Sequence, residues 1–248
     1  MLIADKNNSV EWNDVRRPEK EVLEGRYVSL EPLALSHAGD LYEVFSQRKK
    51  EERYLYLPAF PPASEEDVRG FIQEFLANDA FLFFAVVNKA TKKAEGHFAL
   101  MRIDEKNGVA EIGWVLWGAS LARTRRATEA VFLAADYIFS LGYRRLEWKC
   151  DNLNEASKRA AQRFGFQFEG IFRQHLVVKG KNRDTAWFSI LDKDWPALRE
   201  EYERWLSPRN FDLEGAAEKP FNVLMAYLCG FSYLIFCQRK ASFFCERF

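Results

Sequence analysis

Four cysteines and three histidines are all the soft metal ligands that this 248-residue chain carries, and none of them stands at a metal-ligand spacing. No zinc site, other metal site or disulfide framework is therefore expected, and the sparse thiols fit a reducing, cytoplasmic setting. Charge of one sign is lacking as well, since 36 Lys and Arg balance 36 Asp and Glu. A neutral chain makes no electrostatic case for nucleic acid or for an anionic membrane surface. There is no internal repeat, and the opening MLIADKNNSVEWND is too polar for a signal peptide. Long apolar runs are missing with one exception, residues 221–237, 17 uncharged positions followed by Gln238, Arg239 and Lys240. That run is at the short limit for a membrane span, with cations at its end as an anchor would have. It reads as a tail anchor, as a helix docked on the domain, or as a poorly structured or artefactual end. Any membrane association rests on it alone.

What is present suits one globular domain with appendages: 48% hydrophobic residues, 29% charged, and an aromatic supply of 22 Phe and 7 Trp. Residues 1–23 read as a polar lead-in that Trp12 docks on the domain. RYVSLEPL alternates as a strand, and SHAGDLYEVFSQ follows as a helix with Leu41, Val44 and Phe45 on one face. Ser64 caps a second helix whose stripe is Val68, Phe71, Ile72, Phe75 and Leu76. Strands at 80–88 and 96–104 lead to Asn107-Gly108, a hairpin signal into a strand that bears Glu111. A helix stopped by Gly142, a strand at 144–151, a helix stopped by Gly165, a hairpin around Gly180 and a helix opened by Asp194 and Pro196 complete the domain. The boundaries expected are a domain over 24–207 and a tail over 208–248 outside it.

The stretch 110–130, AEIGWVLWGASLARTRRATEA, carries the chemistry. An apolar strand runs through a short basic turn into a helix. A helix start exposes unpaired N–H groups and the positive end of the dipole, so it holds anions. Arg123, Arg125 and Arg126 crowd that start with Thr124 among them, and small Ala127 and Thr128 let a phosphate approach. Upstream, Glu111 is the candidate base on a strand. Gly113 is placed to seat a bulge that frees backbone N–H groups near Val115 and Leu116 as an oxyanion hole. The bland alternatives are a solvated basic run and a polar-face glutamate.

Together with GRYVSLEPL at 25–33 and DNLNEASKRAAQRFGFQFEG at 151–170, this stretch resembles the GNAT superfamily of acyl-CoA N-acyltransferases, and within it the RimJ/RimL-like branch. The resemblance covers residues 24 to 195. It implies an α+β GNAT fold: a mixed, mostly antiparallel, splayed sheet flanked by helices in the order β-α-α-β-β-β-α-β-α-β-β. It also implies transfer of an acetyl group from acetyl-CoA to a primary amine, either a protein N-terminal α-amine or a small-molecule amine. Glu111 acts as base, directly or through water, and the turn at 122–128 binds pyrophosphate. Asn154 contacts the pantetheine arm or, on the bland reading, caps its helix; Ser157 lies near the thiol. The chain departs from the family where Q/R-x-x-G-x-G/A is usual, offering Ala122, Arg125 and Ala127. It departs again at Ala161, where many members carry a tyrosine that protonates the leaving thiolate. His37, His97, His175 and Cys150 form no triad and read as structural or incidental. The alternatives are an idle acyl-CoA-binding module and a tail-anchored interaction protein, and a homodimer is left open.

Overall fold

The computed structural model describes residues 12–47, 50–212 and 217–221. The apolar run at 221–237, Phe221 apart, lies outside the described residues. Eight strands form one sheet in the order β1-β2-β3-β4-β5-β6-β8-β7. They are β1 (Leu23–Glu24), β2 (Val28–Pro32), β3 (Phe81–Asn88), β4 (Ala94–Asp104), β5 (Val109–Trp117), β6 (Arg145–Asp151), β7 (Gln167–Val178) and β8 (Lys181–Leu191). Among the described residues six α-helices interleave with them: α1 (Ala38–Phe45), α2 (Lys50–Tyr54), α3 (Glu65–Leu76), α4 (Arg125–Ser140), α5 (Glu155–Arg163) and α6 (Trp195–Leu206). The expected order is present, with two additions the pattern did not show. Strand β1 is only two residues long, and α2 is a single polar turn, KEERY, too short to display a face.

Helices α1 and α3 cover one face of the sheet, and α4 and α6 cover the other. Leu41, Ile72, Ala85 and Ala99 are completely buried in the first layer. The second, larger layer joins Leu30, Phe84, Leu100 and Ala110 to Val131, Ala134, Leu198 and Tyr202. Ser64 caps α3 as expected: its hydroxyl accepts from Asp67 N, and the Asp67 carboxylate accepts from Ser64 N. Trp12 also docks, donating to the Lys106 carbonyl at the β4–β5 turn (2.7 Å).

The glutamate of the TEA motif ties the N-terminal strands to α4. Glu129 is buried and accepts backbone N–H bonds from Arg26 (2.8 Å), Tyr27 (2.6 Å) and Val28 (2.8 Å). Residue 25 is glycine because a Cβ there would stand 2.8 Å from the Val28 backbone oxygen and 2.7 Å from the Glu129 carboxyl. Residues 208–212 and 217–221, placed by the sequence reading in the tail, rest against the domain. Asn210 is buried and donates to Trp205 O, and the Phe221 ring packs at a tilt against Tyr202 and Trp205.

Three N–H donors converge on the two oxygens of one carboxylate, and a carboxamide there keeps one acceptor and sets an NH2 against the remaining N–H groups. Glu129→Gln is expected to lower unfolding free energy by about 2 kcal/mol or more, measured by urea denaturation.

Candidate active site

Strands β5 and β6 are parallel neighbours in an otherwise antiparallel sheet, and they pair over only four residues, Val109↔Arg145 to Ile112↔Trp148. Beyond Ile112 they part. On its other edge β5 pairs with β4, where Ala99 faces Gly113 but His97 faces Leu116, so Trp114 and Val115 together oppose Phe98. The bulge foreseen at Gly113 is therefore one residue further on, with Trp114 in the left-handed region (φ 51). Gly113 has a steric reason instead: a Cβ there would run into Met101 Sδ.

The parting opens a cavity of about 360 Å³. Glu111, Gly113 and Val115 line it from β5, Lys149 and Cys150 from β6, Asn154 and Ser157 from α5, and Arg183 from β8. The two oxyanion candidates are separated: Val115 faces this cavity, whereas Leu116 is buried on a second, apolar pocket.

Two further bulges aim side chains at the same space. Between Met101 and Asp104 the β4–β5 register shifts by one residue, and Arg102 takes φ 47. Its Nε then lies 3.5 Å from Glu111 Oε2, on the sheet face that simple alternation denies it. Between Phe172 and Leu176 the β7–β8 register shifts again, with Gln174 at φ 50. His175 thereby reaches Thr185, Nδ1 to Oγ1 3.0 Å, and lines the cavity.

Glu111 is 5% exposed and faces Lys149, whose Nζ is 2.9 Å from Oε2. That approach is a charge contact without hydrogen-bond direction, and Oε2 has no hydrogen-bond partner among the described residues. Burial raises the Glu111 carboxyl above its usual range, against the opposing pull of Lys149. Lys149 is itself fixed, 2.6 Å from Glu147 Oε2 and 3.7 Å above the Trp187 ring.

Across the cavity, the Asn154 carboxamide oxygen accepts from Ser157 N (3.0 Å), the capping role offered as its bland alternative. Ser157 Oγ accepts from Trp148 Nε1 (3.0 Å). Ala161 is wholly buried, so the family's tyrosine position points into the core here.

At the start of α4 the candidate residues divide. Thr124 is the N-cap, its Oγ1 accepting from Ala127 N. Arg123, rather than Arg125, takes the left-handed φ of 64, so Arg125 sits in ordinary helical backbone where the family writes glycine. Arg126 turns away, its Nε 2.8 Å from Glu95 Oε2 and its Nη2 donating to Ser120 O. Thr128 is fully buried, and its hydroxyl accepts from Arg163. The Arg125 guanidinium lies over Tyr27 (4.4 Å) and Phe211 (4.9 Å). The first turn of α4 thus carries cations and no acid, whereas α3 begins with Glu65, Glu66 and Asp67. Cations oppose the dipole at that end, an imbalance an anion would relieve.

A family model described as an acetyltransferase (GNAT) domain matches residues 28–167. The chain belongs to that family and is an N-acetyltransferase of GNAT fold. It is similar to a GCN5-related N-acetyltransferase from Brucella melitensis, whose crystal structure is 50% identical with a TM-score of 0.83, covering 86% of this chain and 97% of that one. An uncharacterised N-acetyltransferase of Bacillus licheniformis is 29% identical over 181 residues, 71% of this chain and 98% of its own. A Salmonella typhimurium enzyme described as modifying the N-terminal serine of a 50S ribosomal subunit protein shares the fold at 19% identity, with a TM-score of 0.60 over 69% of this chain and 99% of that one.

Sequence reasoning missed Arg102, Lys149 and Arg183, and set His175 and Cys150 aside as incidental. Period-two alternation turns Arg102 away, and only the bulge brings it back. Lys149 sits on a strand whose Glu147 and Asp151 imitate a solvated face. His97, by contrast, is a core residue, 2% exposed and ringed by Phe45, Phe71 and Phe83.

Burial pushes His97 down to about 3, so it folds neutral while the unfolded chain protonates near its ordinary 6.5. Its stability contribution is complete above 6.5 and is lost as pH falls from there toward about 3, at about 1.4 kcal/mol per pH unit. His97→Phe is expected to flatten that acid limb in denaturation curves taken across the same window.

Proposed function

We propose that the protein transfers the acetyl group of acetyl-CoA to a primary amine, by direct attack of the amine on the thioester. One observation carries the reading: a buried carboxylate, held ionised by Lys149, faces a cleft between two strands that have parted. The acceptor is a small-molecule amine or a peptide α-amine. The ribosomal-protein enzyme that shares the fold supports the second in kind.

In this reading CoA enters between β5 and β6. Its pyrophosphate rests on the first-turn N–H groups of α4, with Arg123 and Arg125 beside them, and Thr124, Arg126, Ala127 and Thr128 shape the turn. Arg126 and Thr128 act through backbone and packing, because their side chains are engaged by Glu95 and Arg163. Asn154 holds the start of α5 against the pantetheine arm.

An alkylamine of pKa about 10 must lose a proton to attack at neutral pH. Glu111 Oε2 takes that proton, directly or through a water. The raised carboxyl pKa improves Glu111 as a base, and Lys149 keeps it ionised. The Val115 N–H stabilises the oxygen of the tetrahedral intermediate. Collapse of that intermediate breaks the C–S bond. A CoA thiolate of pKa about 8.5 needs little help to leave, and Ser157 or solvent supplies its proton.

Glu111→Gln keeps the shape and removes the base, so turnover should fall roughly 10²-fold. The acidic limb of the pH–rate curve should also move toward the amine's own pKa. Wild-type turnover from pH 6 to 9 would remove Glu111 from the mechanism. Replacing Arg123 and Arg125 together by Ala should raise the acetyl-CoA KM about tenfold or more, since each charged contact contributes about 1.5–3 kcal/mol. Unchanged CoA affinity in calorimetry would show the basic turn to be solvated surface.

A further inference from the structure

The acceptor end of the cavity holds more positive charge than its carboxylates use. Arg102, Lys149 and Arg183 all line it with Glu111, and all three press on His175, whose pKa they lower together with burial. Lys149 is consumed by Glu111 and Glu147. Arg183 is different. It is partly buried, its Nε donates to Thr185 Oγ1 (3.2 Å), and no carboxylate lies within ion-pair distance of it among the described residues. Burial is what chiefly disfavours its cation; Asp151, Cys150 and Glu111 offset it from longer range, and Arg102 adds a smaller repulsion. A desolvated guanidinium is a planar fork suited to a carboxylate, and leaving it unpaired costs stability.

Arg102 adds the second arm. It is held in left-handed backbone by a bulge, and such strain persists where the surroundings enforce it. Its one acidic partner among the described residues, Glu111, is 3.5 Å away and already engaged by Lys149. Beside this charged end lies the apolar pocket of about 290 Å³, lined by Phe45, Phe71 and Trp114. It meets the cavity at Leu57 and Trp114, which line both.

We propose that Arg102 and Arg183 bind a carboxylate borne by the acceptor next to its amine, so that the acceptor is a free α-amino acid, its apolar side chain directed to the Leu57–Trp114 wall. This rests on the acetyl-transfer reading for the identity of the site, and it narrows the amine to one that carries its own anion. A peptide N-terminus, whose α-carboxyl is an amide, lacks that group.

The test compares N-acetyl-L-phenylalanine with N-acetyl-L-phenylalaninamide by calorimetry on the CoA-loaded protein. The two differ only in the charged carboxylate and neither has a titrating amine. The acid should bind roughly tenfold or more tighter than the amide. Arg183→Met should reduce that ratio to near one, and Arg102→Gln should lower it as well. Turnover of L-phenylalanine against L-phenylalaninamide with acetyl-CoA should follow the same order.

Equal binding of acid and amide overturns the proposal in the wild-type protein alone, without recourse to a variant. A ratio that survives in Arg183→Met at an unchanged melting temperature overturns it too. Discrimination in binding without CoA release from any amine would leave the anion site standing and remove the acetyl-transfer reading. Release of CoA with phenylalaninamide at the rate of phenylalanine would do the opposite.

Discussion

The site depends on a strand pair that stops pairing. Parallel β5 and β6 run together for four residues and then part, while each remains hydrogen-bonded to its other neighbour. The bulge at Trp114 bends β5 away at that point. A sheet left open in its middle exposes backbone groups and side chains that would otherwise be ladder and core. Glu111 stands on the last paired stretch of β5, and Val115 on the first stretch that has left β6. The proposed base and the proposed oxyanion donor are therefore fixed by one backbone event, on elements clamped from both sides.

Helix α4 packs on the sheet with α6, and its position is set by Glu129. That carboxylate gathers three N–H groups from the turn into β2 and so joins α4 to the sheet's first strands. The same helix begins with Arg125 held over Tyr27 and Phe211, and with no acid in its first turn. An electrostatically inverted helix start is thus held against the sheet's first strands. Within the cleft the arrangement reverses: Arg102 and Lys149 stand against the buried Glu111 carboxylate.

Much of the frame was legible in the sequence, because its signals are local. The Ser64 cap, the Asn107-Gly108 turn, the stripe on α6 and the glycine stops after α4 and α5 each act within a few residues. Glu111 was legible because a regular strand carries it. The remainder of the site was not, for one shared reason. Arg102, Trp114 and His175 owe their direction to bulges, and a bulge cancels the period-two rule used to assign faces. The basic turn was legible as a cluster but not in its division of labour, since Glu95, which claims Arg126, lies 31 residues away in sequence. The short α2 offered too few residues for any period.

The most direct test of this account is a crystal structure of the protein with CoA bound. The pantetheine arm should pass between β5 and β6 where they part, with the Val115 N–H facing the thiol end. The pyrophosphate should lie on the first turn of α4 near Arg125. CoA bound elsewhere, or β5 and β6 closed into a continuous ladder past Ile112 and Trp148, would contradict it.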